Sequence, residues 1–97
     1  MEDANERQAP ELALEQLRSS LIAQLDALED PQNVHKVRER LFGRRWAESI
    51  DTEALPKDLF DRVATEVDRA WTALSRYPWD LHGAQQALQA AVDQTER

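Results

Sequence analysis

The sequence predicts an all-α protein, a small antiparallel four-helix bundle whose second helix is kinked or broken near Gly43. Leucine, alanine, glutamine and glutamate are frequent and glycine occurs only twice in 97 residues, a composition that favours helix. Apolar residues recur at steps of three and four, as on one face of a helix, and the alternating pattern of strands is missing. The links between these segments are short, which favours antiparallel neighbours.

The length of the chain predicts one domain, because 97 residues are enough for a single modest core. We expect residues 1–9 to be a flexible N-terminus and residues 10–97 to form the helical domain. No apolar run of about 18 residues occurs, so no membrane-spanning helix is predicted. Cysteine is absent and the first residues are unlike a secretory signal. These two features predict a cytoplasmic protein.

The first helix is predicted to begin at Pro10, since proline is well tolerated at the first helical position. A stripe of leucines then follows at helical spacing, formed by Leu14, Leu17, Leu21, Leu25 and Leu28. The stripe stops before Asp30 and Pro31, which are expected to cap and to open the next helix. With so short a link, helices one and two should form an antiparallel hairpin.

The second helix carries an apolar stripe that changes face part of the way along. The first face is formed by Val34, Val37 and Leu41. The displaced face is formed by Phe42, Trp46 and Ile50. Gly43 lies at the change, and glycine is a poor residue for the interior of a helix. A kink, or a break into two short helices, is therefore expected there.

The third helix, from Pro56 to Arg76, has the broadest apolar face. That face is formed by Leu59, Phe60, Val63, Val67, Ala70, Trp71 and Leu74. Trp71 lies in the middle of the stripe and is predicted to be a core residue. Pro78 ends the helix, and Asp80 is placed to cap the fourth helix.

Positive charge is concentrated in one short part of an acidic chain whose formal net charge is −7. Residues 35–45 hold five bases and one acid, whereas residues 1–34 hold two bases and eight acids, and residues 46–97 hold five bases and ten acids. An exposed ion pair contributes only about 0–1 kcal/mol, so stability gives little reason to gather five bases. A cluster of charge does more to orient a partner and to speed its association.

We therefore predict a partner-binding surface made of these bases and of tryptophans at helix ends, since tryptophan and arginine dominate interface hot spots. The predicted contact residues are Lys36, Arg38, Arg40, Arg44, Arg45, Trp46 and Trp79. On a continuous helix, Lys36, Arg40 and Arg44 would share one face. In the alternative interpretation, the arginines pair with acids of their own bundle and the tryptophans close its ends.

The predicted function is binding rather than catalysis: an adaptor, accessory subunit or inhibitor that acts on another protein or protein complex. The sequence contains no catalytic constellation, metal-ligand cluster or phosphate-binding loop, so we expect neither cofactor nor metal. An alternative is a nucleic-acid-associated protein, which contacts RNA or DNA through residues 36–45 or mimics nucleic acid with its acidic surface. The negative charge disfavours generic contact with nucleic acid and with anionic membranes.

His35 and the residues after it provide a further alternative. "HKVRE" on an acidic helical bundle resembles the histidine phosphotransfer domains, and the resemblance would make His35 the phosphorylated residue and Arg38 the base that neutralises the phosphate. Glu39 stands where that family usually has glycine. The spacing of Arg76 and His82 resembles the Arg…His motif of HEPN-type ribonucleases, although a proline lies between the two residues.

Overall fold

The computed structural model describes residues 10–96, which form four α-helices and contain no strand. The helices are α1 (Pro10–Ala27), α2 (Val34–Leu41), α3 (Lys57–Leu74) and α4 (Leu81–Gln94). Short 3-10 segments, Pro31–Asn33, Phe42–Ala47 and Thr52–Ala54, lie in the connections. The predicted all-α class is confirmed for this part of the chain. The expected flexible N-terminus, residues 1–9, lies outside it.

Both predicted aspartate caps are confirmed. The Asp30 carboxylate accepts a hydrogen bond from the backbone N–H of Gln32 at 3.0 Å, and that of Asp80 accepts one from the N–H of Gly83 at 2.9 Å. A cap of this kind satisfies an amide that has no partner within its own helix, which stabilises the start of the helix by about 1 kcal/mol. Asp30 caps the 3-10 segment, however, and α2 begins only at Val34.

The third helix is slightly shorter than the predicted range of Pro56 to Arg76. It begins at Lys57, directly after Pro56, and its last residue is Leu74. The chain then turns back toward the same helix, so that the N–H of Asp80 donates to the carbonyl of Ala73 at 3.1 Å. The short return brings the start of α4 beside the end of α3.

The apolar stripes of the four helices meet in one core. Leu17, Leu21 and Leu28 of the first stripe are buried, whereas Leu14 and Leu25 lie half-buried at its edge. From α4 the core receives mainly small side chains, namely Ala84, Ala87, Leu88, Ala91 and Val92. Alanines allow close approach of neighbouring backbones, and α4 accordingly packs tightly along α3.

Two long-range hydrogen bonds join α1 and the residue after it to α4 and the residue after it. Arg18 in α1 donates to the carbonyl of Thr95, just after α4, at 3.0 Å. Gln85, near the start of α4, donates to the carbonyl of Leu28, just after α1, at 3.3 Å. These two contacts mean that α1 and α4 run in opposite directions.

The backbone after α2 adopts a conformation that controls the positions of the basic residues. Helical geometry stops at Leu41, and Gly43 and Arg44 follow with φ values of 63° and 67°. Glycine occupies this left-handed region without steric cost, whereas a residue with a Cβ is destabilised there by about 1–2 kcal/mol. The helix therefore does not run through Gly43, and the side chains beyond it point in directions that no continuous helix would give.

Candidate functional site

The five predicted basic contact residues do not share one surface. Lys36 and Arg40 are exposed on α2, one helical turn apart. Arg38 is half-buried, and its guanidinium donates to the carbonyl of Leu74 at the end of α3 at 3.4 Å. Arg44 and Arg45 are exposed beyond the end of the helix. The α2 helix thus divides its bases between its outer face and the side that meets α3.

The expectation that Arg44 continues the face of Lys36 and Arg40 is wrong, because α2 ends at Leu41 and the backbone then turns left-handed. The Arg44 guanidinium instead lies over the ring of Phe60, 5.1 Å from its centre. A cation in that position is attracted to the ring by about 0.5–1 kcal/mol at an exposed site. The energy of this contact is large enough to offset part of the backbone strain at Arg44.

Trp46 was expected to meet a partner, but it is a core residue with only 2% of its surface exposed. Its ring stacks on Phe60, with the ring centres 5.6 Å apart. Its carbonyl accepts a hydrogen bond of 2.6 Å from the hydroxyl of Ser20 in α1. The turn at Gly43 directs this side chain inward, so Trp46 presents no docking surface in this fold.

Trp71 is the reverse case, a residue that was predicted to be more deeply buried than it is. It was expected in the core, yet it is only half-buried. Phe42 lies beside it with 56% of its surface exposed, and the two ring centres are 6.0 Å apart. The two rings therefore form an accessible aromatic pair between the end of α2 and the last part of α3.

A surface pocket of about 410 Å³ surrounds this pair, and we call it the aromatic–arginine pocket. It is lined by Arg38, Glu39, Phe42, Arg45, Trp71 and Ser75. Two arginines and one glutamate give the lining a surplus of positive charge in a protein whose net charge is −7. Apolar ring faces beside guanidinium groups suit a ligand that carries both an apolar group and an anionic group.

Trp79, the second predicted tryptophan contact, keeps part of its surface accessible. It is half-buried at the link between α3 and α4. The rings of His35 and Tyr77 meet it edge to face, with ring centres at 5.7 and 5.2 Å. Tyr77 is 78% exposed. This aromatic group lies next to the end of α3, one helical turn along α2 from Arg38.

The position of His35 differs from what phosphotransfer would need. That function calls for an exposed histidine in the middle of a helix; His35 is exposed, but it is the second residue of α2 and its ring contacts that of Trp79. Of the two residues of the other resemblance, Arg76 is exposed within the link between α3 and α4, and His82 is exposed in the first turn of α4.

Ion pairs between described residues lie elsewhere in the molecule. They join Lys57 to Asp61, Arg62 to Asp58 and Arg69 to Glu66, all within α3. None of them includes a base of residues 35–45. The alternative interpretation, in which these bases are neutralised by acids of their own bundle, therefore lacks ion pairs to any acid among residues 10–96.

Residues 10–96 contain neither a cluster of metal ligands nor a membrane-spanning helix. No group of three or more histidine, cysteine, aspartate or glutamate side chains in this range is arranged to hold a metal ion. None of the helices described is both long and apolar enough to cross a membrane.

Sequence reasoning missed four residues that line the aromatic–arginine pocket: Glu39, Phe42, Trp71 and Ser75. A signal for Phe42 was present, because the apolar stripe changes face between Leu41 and Phe42. No comparable signal marked Trp71, whose spacing along α3 matches that of buried neighbours such as Val67 and Leu74. Comparisons of the chain with protein-family models, with curated proteins and with solved structures found no match.

Proposed function

We propose that this chain is a small binding protein, an adaptor, accessory subunit or inhibitor, which docks another protein on the aromatic–arginine pocket and the exposed bases around it. The observation that carries this proposal is the exposed Phe42 beside Trp71, with Arg38 and Arg45 in the same lining. We further propose that it acts in the cytoplasm, in keeping with the absence of cysteine.

Energetic reasoning supports docking at this place. An aromatic or arginine anchor that becomes buried in an interface contributes about 2 kcal/mol or more, whereas solvated bases at the rim act mainly on the association rate. Phe42 and Trp71 have surface left to bury, and Lys36 and Arg40 are suited to the rim. The pocket and the outer face of α2 would therefore contribute to different steps of the same binding event.

The experiment uses a tagged chain to isolate its partner, and then measures association and dissociation rates of the purified pair. We expect Arg40→Glu combined with Arg45→Glu to slow association, most strongly at low salt, since both bases are exposed. The matched control reverses two exposed bases of α3 instead, Lys57→Glu with Arg69→Glu. Thermal unfolding of every variant confirms that the fold is intact.

Two results would contradict the proposed docking surface. If the two double variants slow association equally, the effect is one of net charge and the docking surface is not the one proposed. Unchanged rates in the Arg40→Glu, Arg45→Glu variant would also overturn the proposal. A partner that proves to be a nucleic acid would show a steep loss of affinity with salt.

A further inference from the structure

We infer that the aromatic–arginine pocket binds an acidic protein segment in which an apolar side chain lies close to one or more carboxylates. This inference rests on the proposed function and names the chemistry of the partner. The apolar side chain would pack against the exposed faces of Phe42 and Trp71, and the carboxylates would meet Arg38 and Arg45. Each group of this ligand corresponds to a group in the lining of the pocket.

The charge of the pocket selects the anionic part of the ligand. Arg38 uses one N–H in its hydrogen bond to the Leu74 carbonyl, and a guanidinium has five N–H donors in a planar fork that matches a carboxylate. That hydrogen bond also restrains the half-buried side chain, so less conformational entropy is lost when a ligand binds. Arg45 adds a second guanidinium to the same lining.

The apolar part follows from the two rings and from the size of the pocket. The ring centres of Phe42 and Trp71 are 6.0 Å apart and tilted by 39°, so the rings present two non-parallel faces. The volume of about 410 Å³ lies at the small end of ligand pockets, which range over roughly 300–1,000 Å³. A single aromatic or branched aliphatic side chain suits this space.

The charge of the whole molecule favours a protein segment over nucleic acid. Rings and arginines also bind single-stranded nucleic acid, but a polyphosphate chain extends beyond the pocket over a surface whose net charge is −7. Glu39, which belongs to the lining, would repel a continuous row of phosphates. A peptide places a few carboxylates next to its anchor and need not carry charge further along.

The test measures fluorescence anisotropy of labelled peptides with the full chain at low salt. The probe is a short glutamate- and serine-rich peptide with one apolar anchor, made in versions with phenylalanine, leucine or tryptophan. Two control peptides replace the anchor by serine or the glutamates by glutamine. We expect at least one anchored acidic peptide to bind, and both controls to bind about tenfold more weakly or not at all.

Variants of the protein then locate the binding site. Arg45→Gln and Phe42→Ser should each lower the affinity for the peptide by about tenfold. This is the usual effect of losing a charged hydrogen bond or a buried aromatic anchor. The matched controls, Lys57→Gln and Leu12→Ser, change an exposed base and an exposed apolar residue away from the pocket, and should leave binding unchanged. The side chains of Arg45 and Phe42 are exposed, so the variants at these two positions should fold.

Several results would overturn the inference. They are no binding by any anchored peptide, equal binding of the control peptides, tighter binding of a thymidine oligonucleotide of equal charge, or self-association of the chain that is lost in Phe42→Ser. The last would make a second copy the occupant. If the peptides fail while partner association still depends on Arg40 and Arg45, this inference falls and the proposed function stands.

Discussion

At the scale of single residues, the left-handed backbone at Gly43 and Arg44 decides which side chains after α2 turn inward and which stay at the surface. Arg44 holds φ 67° although it has a Cβ, and its contact with the Phe60 ring offsets part of the strain. Trp46 follows two residues later and enters the core. Local strain and burial of the tryptophan are therefore linked.

We expect Gly43→Ala to lower the free energy of unfolding by about 1–2 kcal/mol, the cost of a Cβ in the left-handed region. Apart from Gly43 itself and its two neighbours in the chain, no residue has a heavy atom within 4 Å of the position that this Cβ would take, so the loss would come from backbone strain and not from collision. Urea denaturation measures it. In a regular helix the same change would gain up to about 1 kcal/mol, so a stabilised variant would show that the turn is not required.

A substitution at Gly83 tests the contribution of the Asp80 cap to the stability of α4. A Cβ added there would come within 2.7 Å of Cγ of Asp80, so Gly83→Ala should displace the carboxylate that caps the helix. The lost cap, about 1 kcal/mol, would be offset by a similar gain in helix propensity.

A double-mutant cycle measures the energetic coupling between Asp80 and Gly83 in this cap. Asp80→Ala should cost about 1 kcal/mol in the wild-type background and clearly less in Gly83→Ala, because the cap is already broken there. Equal costs in the two backgrounds, measured by chemical denaturation, would mean that Asp80 and Gly83 act independently.

At the scale of elements, the segment Phe42–Ala47 packs one aromatic residue inside and leaves another outside. Trp46→Ala removes a side chain stacked on Phe60 and should cost about 3–5 kcal/mol, as large core truncations do. Phe42→Ala removes a ring that is 56% exposed and should cost well under half of that amount. Guanidinium denaturation of the two variants provides the comparison. Similar losses would contradict the assignment of Trp46 to the core and Phe42 to the surface.

At the scale of the whole molecule, the basic part of the chain is not neutralised by ion pairs to acids among residues 10–96. We therefore expect Lys36→Glu combined with Arg40→Glu to change the free energy of unfolding by less than about 1 kcal/mol at moderate salt. Thermal and chemical unfolding test this. A loss of about 2 kcal/mol or more that added salt restores would instead support bases that stabilise their own bundle.

The sequence by itself determined the all-α class, the approximate extent of the four helices, both aspartate caps and most of the core. These features depend on short-range properties, namely helical periodicity, the lack of an N–H in proline and the reach of an aspartate side chain to a nearby amide. Asp80 and Gly83 are three residues apart, so their contact needs no knowledge of the rest of the chain.

Only the tertiary structure decided which tryptophan is buried and which bases meet an aromatic surface. Trp46 and Trp71 both lie on apolar stripes, but the turn at Gly43 directs Trp46 onto Phe60, whereas Trp71 lies where Phe42 covers only part of its ring. Arg38 reaches the end of α3 because two helices distant in sequence pack together. Burial of a residue on an apolar stripe depends on the direction and length of the neighbouring helices, and residue spacing within a single helix carries no information about them.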